Sequence, residues 1–191
     1  MKTEVRAFIA VELPREVKAF LSDLSISLKK CDADVKWVKP DGMHLTLKFL
    51  GNVPTDVLPN IKEKAAPVFA EQPALRLGIR HVGAFPALKR PRVVWAGCHD
   101  PEARLGRVAA NLEHALVPLG FAKEKRAFNP HLTLGRVRSS ERIGDLIRAI
   151  QDKVHVVGPD FVADHAVLFE SILSPAGAQY VEIYRFDCKH D

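Results

Sequence analysis

Two copies of one tetrapeptide carry the residues able to do chemistry. His44-Leu45-Thr46-Leu47 lies within MHLTLKFLGN, and His131-Leu132-Thr133-Leu134 within PHLTLGRVR. The copies are 131 − 44 = 87 residues apart, close to half of the 191-residue chain. Polar and apolar residues alternate in both, the period of a strand with one buried face. His and Thr then share one face and the two Leu the other. Each copy offers an imidazole and a hydroxyl, one pleat apart, on a rigid element. Two such strands facing across a cleft would present two imidazoles and two hydroxyls to one small group.

That set suits an oxyanion such as a phosphodiester. Cleavage needs a base for the attacking hydroxyl, an acid for the leaving oxygen and donors for the non-bridging oxygens. Two histidines on opposite sides of phosphorus match in-line displacement, one neutral and one protonated. An imidazole titrates near neutrality and can serve in either role. Thr46 and Thr133 would supply the hydroxyl donors from stiff, β-branched side chains. A lone His-x-Thr is best read as an ordinary strand histidine. For two identical blocks the competing explanation is a duplication kept for packing. Packing alone would not need His and Thr on the polar side.

The surrounding elements alternate in type. An apolar strand over Val5–Leu13 meets Pro14, which opens a helix to about Lys30 with Val17, Phe20, Leu21, Leu24 and Leu28 on one face. A short strand at Val35–Val38 and a turn at Lys39-Pro40-Asp41-Gly42 precede the first His-x-Thr strand, which runs from His44 to about Leu50. Thr55 or Asp56 can cap a second helix to about Ala70, with Pro67 kinking or shortening its end. Ala74–Val82 and Val93–Cys98 read as strands flanking a basic loop, Gly83–Arg92. A third helix spans Glu102–Leu119 and stops at Gly120. After the charged stretch Lys123–Arg126, the second His-x-Thr strand covers His131–Val137. Ser139 or Ser140 would cap a fourth helix to about Gln151. Strands at Val154–Val157 and Val162–Ile172, a turn at Ser174-Pro175-Ala176-Gly177 and a strand at Gln179–Phe186 complete the chain. The order is βαββαββ followed by αβαβββ. The fold class is α+β: bilobal, two antiparallel sheets each backed by helices, with pseudo-two-fold symmetry about a central cleft. Residues 1–191 are expected to form one domain of two interlocked lobes, with both histidines facing solvent in the cleft.

Composition narrows the setting. Hydrophobic residues make up 47% of the chain, ample for a core. Lys and Arg number 28 against 23 Asp and Glu, a formal charge of +5. This mild excess steers towards a phosphate ligand rather than marking a dense nucleic-acid binder. Three cysteines without CxxC or Cys/His spacing predict neither a disulfide scaffold nor a zinc site. The charged N-terminus is unlike a signal peptide, and no apolar run is long enough for a membrane span. A cytoplasmic monomer that does not engage membranes is expected. No HExxH, P-loop or Gly-rich dinucleotide loop is present, so no metal or cofactor is implied.

Together these residues give the chain a family resemblance. It resembles the two-histidine (2H) phosphoesterases, and within them the bacterial and archaeal RNA 2′,3′-cyclic phosphodiesterases, also called 2′-5′ RNA ligases. The resemblance runs through Arg6-Ala7-Phe8-Ile9-Ala10, Trp37-Val38, His44–Gly51, Gly83-Ala84-Phe85-Pro86, Arg90–Trp95, Phe128–Arg136 and Leu168-Phe169-Glu170-Ser171. It implies opening of a 2′,3′-cyclic phosphate at an RNA 3′ end, tRNA halves among the candidates, to leave a 2′-phosphate. It implies His131 as proton acceptor, His44 as proton donor, and Thr46 and Thr133 on the phosphate oxygens. The reverse reaction would be an ATP-independent 2′-5′ ligation. Phe49 and Arg136, each five residues after a histidine, would lie near the bound nucleotide. Strict alternation places both on the Leu side, unless Gly135 introduces a bulge that turns Arg136 back. Lys48 shares the parity of His44 and could face the cleft or solvent. His81, His99, His114, His155, His165 and His190 share no ligand spacing and read as structural or surface residues. Small cyclic nucleotides or ADP-ribose cyclic phosphate remain alternative substrates, and non-catalytic binding of RNA ends an alternative function.

Overall fold

The two His-x-Thr segments fall in different sheets. The computed structural model describes residues 3–174 and 177–189. In chain order the elements are β1 (Glu4–Val11), α1 (Arg15–Lys29), β2 (Val35–Trp37), β3 (Leu45–Pro54), α2 (Leu58–Ala70), β4 (Leu75–Ala87), β5 (Arg90–His99), α3 (Arg104–Leu116), β6 (His131–Val137), α4 (Ile143–Gln151), β7 (Val157–Ala163), β8 (His165–Ser174) and β9 (Gly177–Asp187). This is the expected order. One sheet runs β3-β1-β8-β9 and the other β2-β6-β5-β4-β7. All pairings within them are antiparallel. Strand for strand, β3-β1-β8-β9 corresponds to β6-β5-β4-β7, with a His-x-Thr strand at the same end of each run. Strand β2 is an addition beside β6.

The helices lock the halves together. Helix α1 follows a strand of the first sheet but packs on β7 of the second, beside α4. Helix α3 follows a strand of the second sheet but packs on α2 and on β3 of the first. The apolar stripes explain the docking: Val17, Leu21, Leu24 and Leu28 of α1 are buried, as are Leu105, Val108, Leu112 and Leu116 of α3. Each such leucine contributes about 2 kcal/mol of transfer free energy. One core runs continuously through both helical layers. A smaller cluster of Phe8, Ala10, Val167 and Phe169, with Tyr180 against it, lies on the opposite face of the first sheet. That cluster floors the cleft. No helix among the described residues is long and apolar enough to cross a membrane.

Several boundaries differ from expectation for local reasons. The basic stretch 83–92 is no loop: β4 extends to Ala87 and β5 starts at Arg90, leaving Leu88 and Lys89 in the turn. Pro86 is tolerated because the ladder register already shifts between Phe85 and Pro86. Strand β3 passes Gly51, whose φ of 75° suits glycine, and reaches Pro54. A 3-10 turn over Thr55–Val57 precedes α2, and Pro67 does not end that helix before Ala70, because it falls in the last turn. Helix α3 starts at Arg104, held by Asp100, whose carboxylate accepts the Leu105 amide at 2.6 Å. Its last turn tightens to a 3-10 helix over Val117–Leu119. Helix α4 begins at Ile143, past Ser139 and Ser140, with Arg142 in the left-handed region at its start. The strand expected to begin at Val162 is interrupted at Asp164, where the chain passes from one sheet to the other. Within the expected turn at 174–177, Pro175 and Ala176 lie outside the described residues, as does His190.

Candidate active site

Both tetrapeptides place their leucines as alternation demands. Leu45, Leu47, Leu132 and Leu134 are all buried. His44, Thr46, His131 and Thr133 are partly exposed on the opposite faces. His44 immediately precedes β3, while His131 is the first residue of β6. The two strands approach within 8 Å, Cα to Cα.

Alternation then breaks at the same point in each strand. On β3, Thr46 pairs with Ala10 and Lys48 with Ile9, so two steps on β3 oppose one on β1. On β6, Thr133 pairs with Trp95 and Gly135 with Val94, again two steps against one. Each bulge swaps the faces of the residues after it. Phe49 becomes the face-mate of Phe8, and Arg136 that of Val93 and Lys36. Both residues five positions after a histidine therefore return to the cleft face, and both are exposed. The Arg6 guanidinium lies 4.8 Å from the Phe49 ring centroid.

The first bulge sends Lys48 the other way. It faces neither cleft nor solvent but is 5% exposed. Its Nζ donates to Glu113 Oε2 at 2.7 Å and to the Ala122 carbonyl at 3.0 Å. Glu113 Oε2 also accepts the Glu124 amide at 3.1 Å. A buried ammonium is tolerable only with such partners. The bridge ties β3 to the segment that leads into β6.

The two histidines sit in unlike surroundings. The His44 ring stacks on Phe8 at 4.6 Å and takes the edge of Tyr180 at 4.9 Å. It is mostly enclosed rather than facing solvent as expected. Burial lowers its pKa to about 4, with the Gly42 backbone opposing and the Lys18 charge assisting. Despite that pull from Gly42, Nδ1 is buried without a hydrogen bond of regular geometry. His131 is fixed by its backbone. Its Nδ1 lies 2.7 Å from the Asn129 carbonyl oxygen, which can only accept. Nδ1 thus carries the proton, and in the neutral ring Nε2 keeps the lone pair. Phe85 meets the His131 ring edge-on at 4.9 Å, and Trp95 lies 6.5 Å away.

Residues that spacing alone did not single out complete the cleft. Phe8 and Tyr180 clasp His44 from strands far apart in sequence. Burial raises the Tyr180 pKa, and the Arg136 charge partly offsets this across the lobes. On the second sheet, Gly83 makes room for the Trp95 indole: a Cβ there would lie 2.4 Å from the ring. Trp95 is cleft wall, and Trp37 packs over Gly135 against the core. Among the described residues, no group of three or more His, Cys, Asp or Glu side chains is arranged to hold a metal ion.

Two corresponding sheets, each delivering an imidazole and a hydroxyl where β3 and β6 meet, define a phosphoesterase of the two-histidine class. The chain belongs to the family described as LigT like Phosphoesterase, whose model matches residues 11–95 and again 98–180, one His-x-Thr segment in each match. It is 35% identical over 186 residues to the RNA 2′,3′-cyclic phosphodiesterase of Methanothermobacter thermautotrophicus, covering 96% of this chain and 98% of that one. It is 36% identical over 188 residues to the enzyme of the same name from Archaeoglobus fulgidus, covering 96% and 100%. Among solved structures, a Thermus thermophilus protein superposes with a TM-score of 0.81 at 27% identity, over 96% of this chain and 98% of that one.

Proposed function

We propose that this protein, working as one domain, hydrolyses 2′,3′-cyclic phosphodiesters at RNA 3′ ends to 2′-phosphomonoesters. The carrying observation is the convergence of the two His-x-Thr strands within 8 Å, from corresponding positions in two sheets. The names borne by the relatives supply the substrate.

In this reading His131 Nε2 takes a proton from water as the water oxygen attacks phosphorus. The bond from phosphorus to O3′ breaks, and His44 delivers a proton to O3′. The products are a 2′-phosphate and a free 3′-hydroxyl. Thr46 and Thr133 donate to the non-bridging oxygens, where charge builds in the transition state. Arg136 and Phe49 receive the terminal nucleotide. The Asn129 carbonyl supports the base role of His131, because it leaves the Nε2 lone pair available. The enclosure of His44 supports the acid role once a proton is on it, because a poorly solvated imidazolium gives up its proton readily. The ring takes up that proton from solvent when substrate binds, because the phosphate charge beside it favours the imidazolium. With a 5′-hydroxyl in place of water as the nucleophile, the same steps form a 2′-5′ linkage without ATP.

The test is product analysis on an oligonucleotide ending in a 2′,3′-cyclic phosphate, in EDTA. A 2′-phosphate product is expected. An unchanged substrate or a 3′-phosphate product would contradict the reading.

A further inference from the structure

The cleft face of the second sheet carries a third imidazole. His81 is the extra residue of a bulge in β4: Arg80 pairs with Gly97 and Val82 with Ala96. Its φ of 41° lies in the left-handed region, which residues other than glycine seldom adopt. The result is a specific placement. The ring lies over Gly97, where a Cβ would sit 2.4 Å from His81 Nε2. Gly97 is the ladder partner of His131, so the imidazole is carried next to the catalytic strand on the cleft side. Its other neighbour is the edge of Trp95, at 5.4 Å.

A groove of about 370 Å³ opens at this end of the sheet. His81, His99, Phe128, Asn129 and Pro130 are among the residues that line it. It is therefore continuous with the Asn129-Pro130 segment that anchors His131. His99 shares the cleft face with Gly97, two residues along β5. Both imidazoles are exposed, and neither makes a hydrogen bond among the described residues. The Arg and Asp side chains lining the groove are already engaged. Arg80 bonds Asp160 and the Gly158 carbonyl, and the Asp100 carboxylate holds the amides at the start of α3. Two unengaged imidazole donors beside an aromatic ring, in a space of small-ligand size, suit a phosphate with an attached nucleoside.

We propose that this groove binds the internucleotide phosphate preceding the terminal nucleotide, through His81 and His99, with Phe128 against the adjoining nucleoside. The inference rests on the RNA reading of the active site and makes the preferred substrate an oligonucleotide rather than a mononucleotide. Arg136 and Phe49 hold the last nucleotide at one end of the cleft, and the chain leaves past His131 at the other.

The experiment compares a mononucleoside 2′,3′-cyclic phosphate with an oligonucleotide bearing the same terminus. The proteins are the wild type, His81→Ala, His99→Ala and the double variant. The wild type is expected to favour the oligonucleotide in kcat/KM. The double variant is expected to lose about tenfold of that preference, mainly in KM, with mononucleotide turnover unchanged. An unchanged preference, or an equal fall on both substrates, would overturn the proposal. If the wild type turned over neither substrate, the functional reading itself would fail. The groove would then be judged by fluorescence anisotropy with an oligonucleotide ending in a 2′-phosphate. Weaker binding to the double variant supports the site, and equal binding rejects it.

Discussion

The segments that open β3 and β6 carry the same four residues and treat them differently. In β6 the imidazole is held by a backbone carbonyl and backed by ring edges, with one nitrogen free to accept. Just ahead of β3 it is packed between Phe8 and Tyr180, its Nδ1 without a regular partner and its charged form disfavoured. Identical motifs supply identical reach, and the environment sets which proton each will hold. A duplicated fold thereby yields two distinguishable groups, as an acid and a base must be.

Four measurements can break or sharpen this comparison. Replacing either histidine with alanine should cost about 10²–10⁴ in turnover, the range for losing a general acid or base. The two variants should differ in stability. His44→Ala empties a packed site and should lower stability by about 2 kcal/mol. His131→Ala removes a cleft-lining ring and should leave the melting temperature nearly unchanged. Equal melting temperatures would remove the asymmetry between the two sites.

An effect of pH on stability is also expected. In the unfolded chain His44 titrates near 6.5, and in the folded chain near 4. Between those values the unfolded state binds a proton that the folded state refuses. Stability is therefore complete above pH 6.5 and lost as the pH falls towards 4, by about 3 kcal/mol from this group. Acid unfolding of the wild type should be steeper through that window than that of His44→Ala. Matching curves would mean that the His44 ring is not enclosed in solution.

At the low end of the histidine range, Thr46→Val and Thr133→Val should each lower kcat by about 10² if both hydroxyls stabilise developing charge. A loss at only one would show that one strand alone holds the phosphate.

The alternation, the element order and the four cleft residues were legible because they depend on local pattern. The bulges were legible on one side only. Gly135 hints at a break, whereas nothing in Leu47-Lys48 does, because that bulge is set by pairing with Ile9 and Ala10. Lys48 could not be placed from its strand, since its partner Glu113 lies 65 residues away. The difference between the two histidines was illegible for the same reason, as Phe8 and Tyr180 reach His44 through tertiary packing. His81 was passed over because ligand spacing in sequence says nothing about a ring brought across a ladder onto a glycine.

The proposed mechanism gives His131 and His44 opposite duties, and a change of leaving atom tests this directly. In a cyclic phosphate whose bridging 3′ oxygen is replaced by sulfur, the departing thiolate needs no proton. His44→Ala should then recover most of the wild-type rate, while His131→Ala stays inactive. Recovery by His131→Ala instead, or by neither variant, would contradict the assignment.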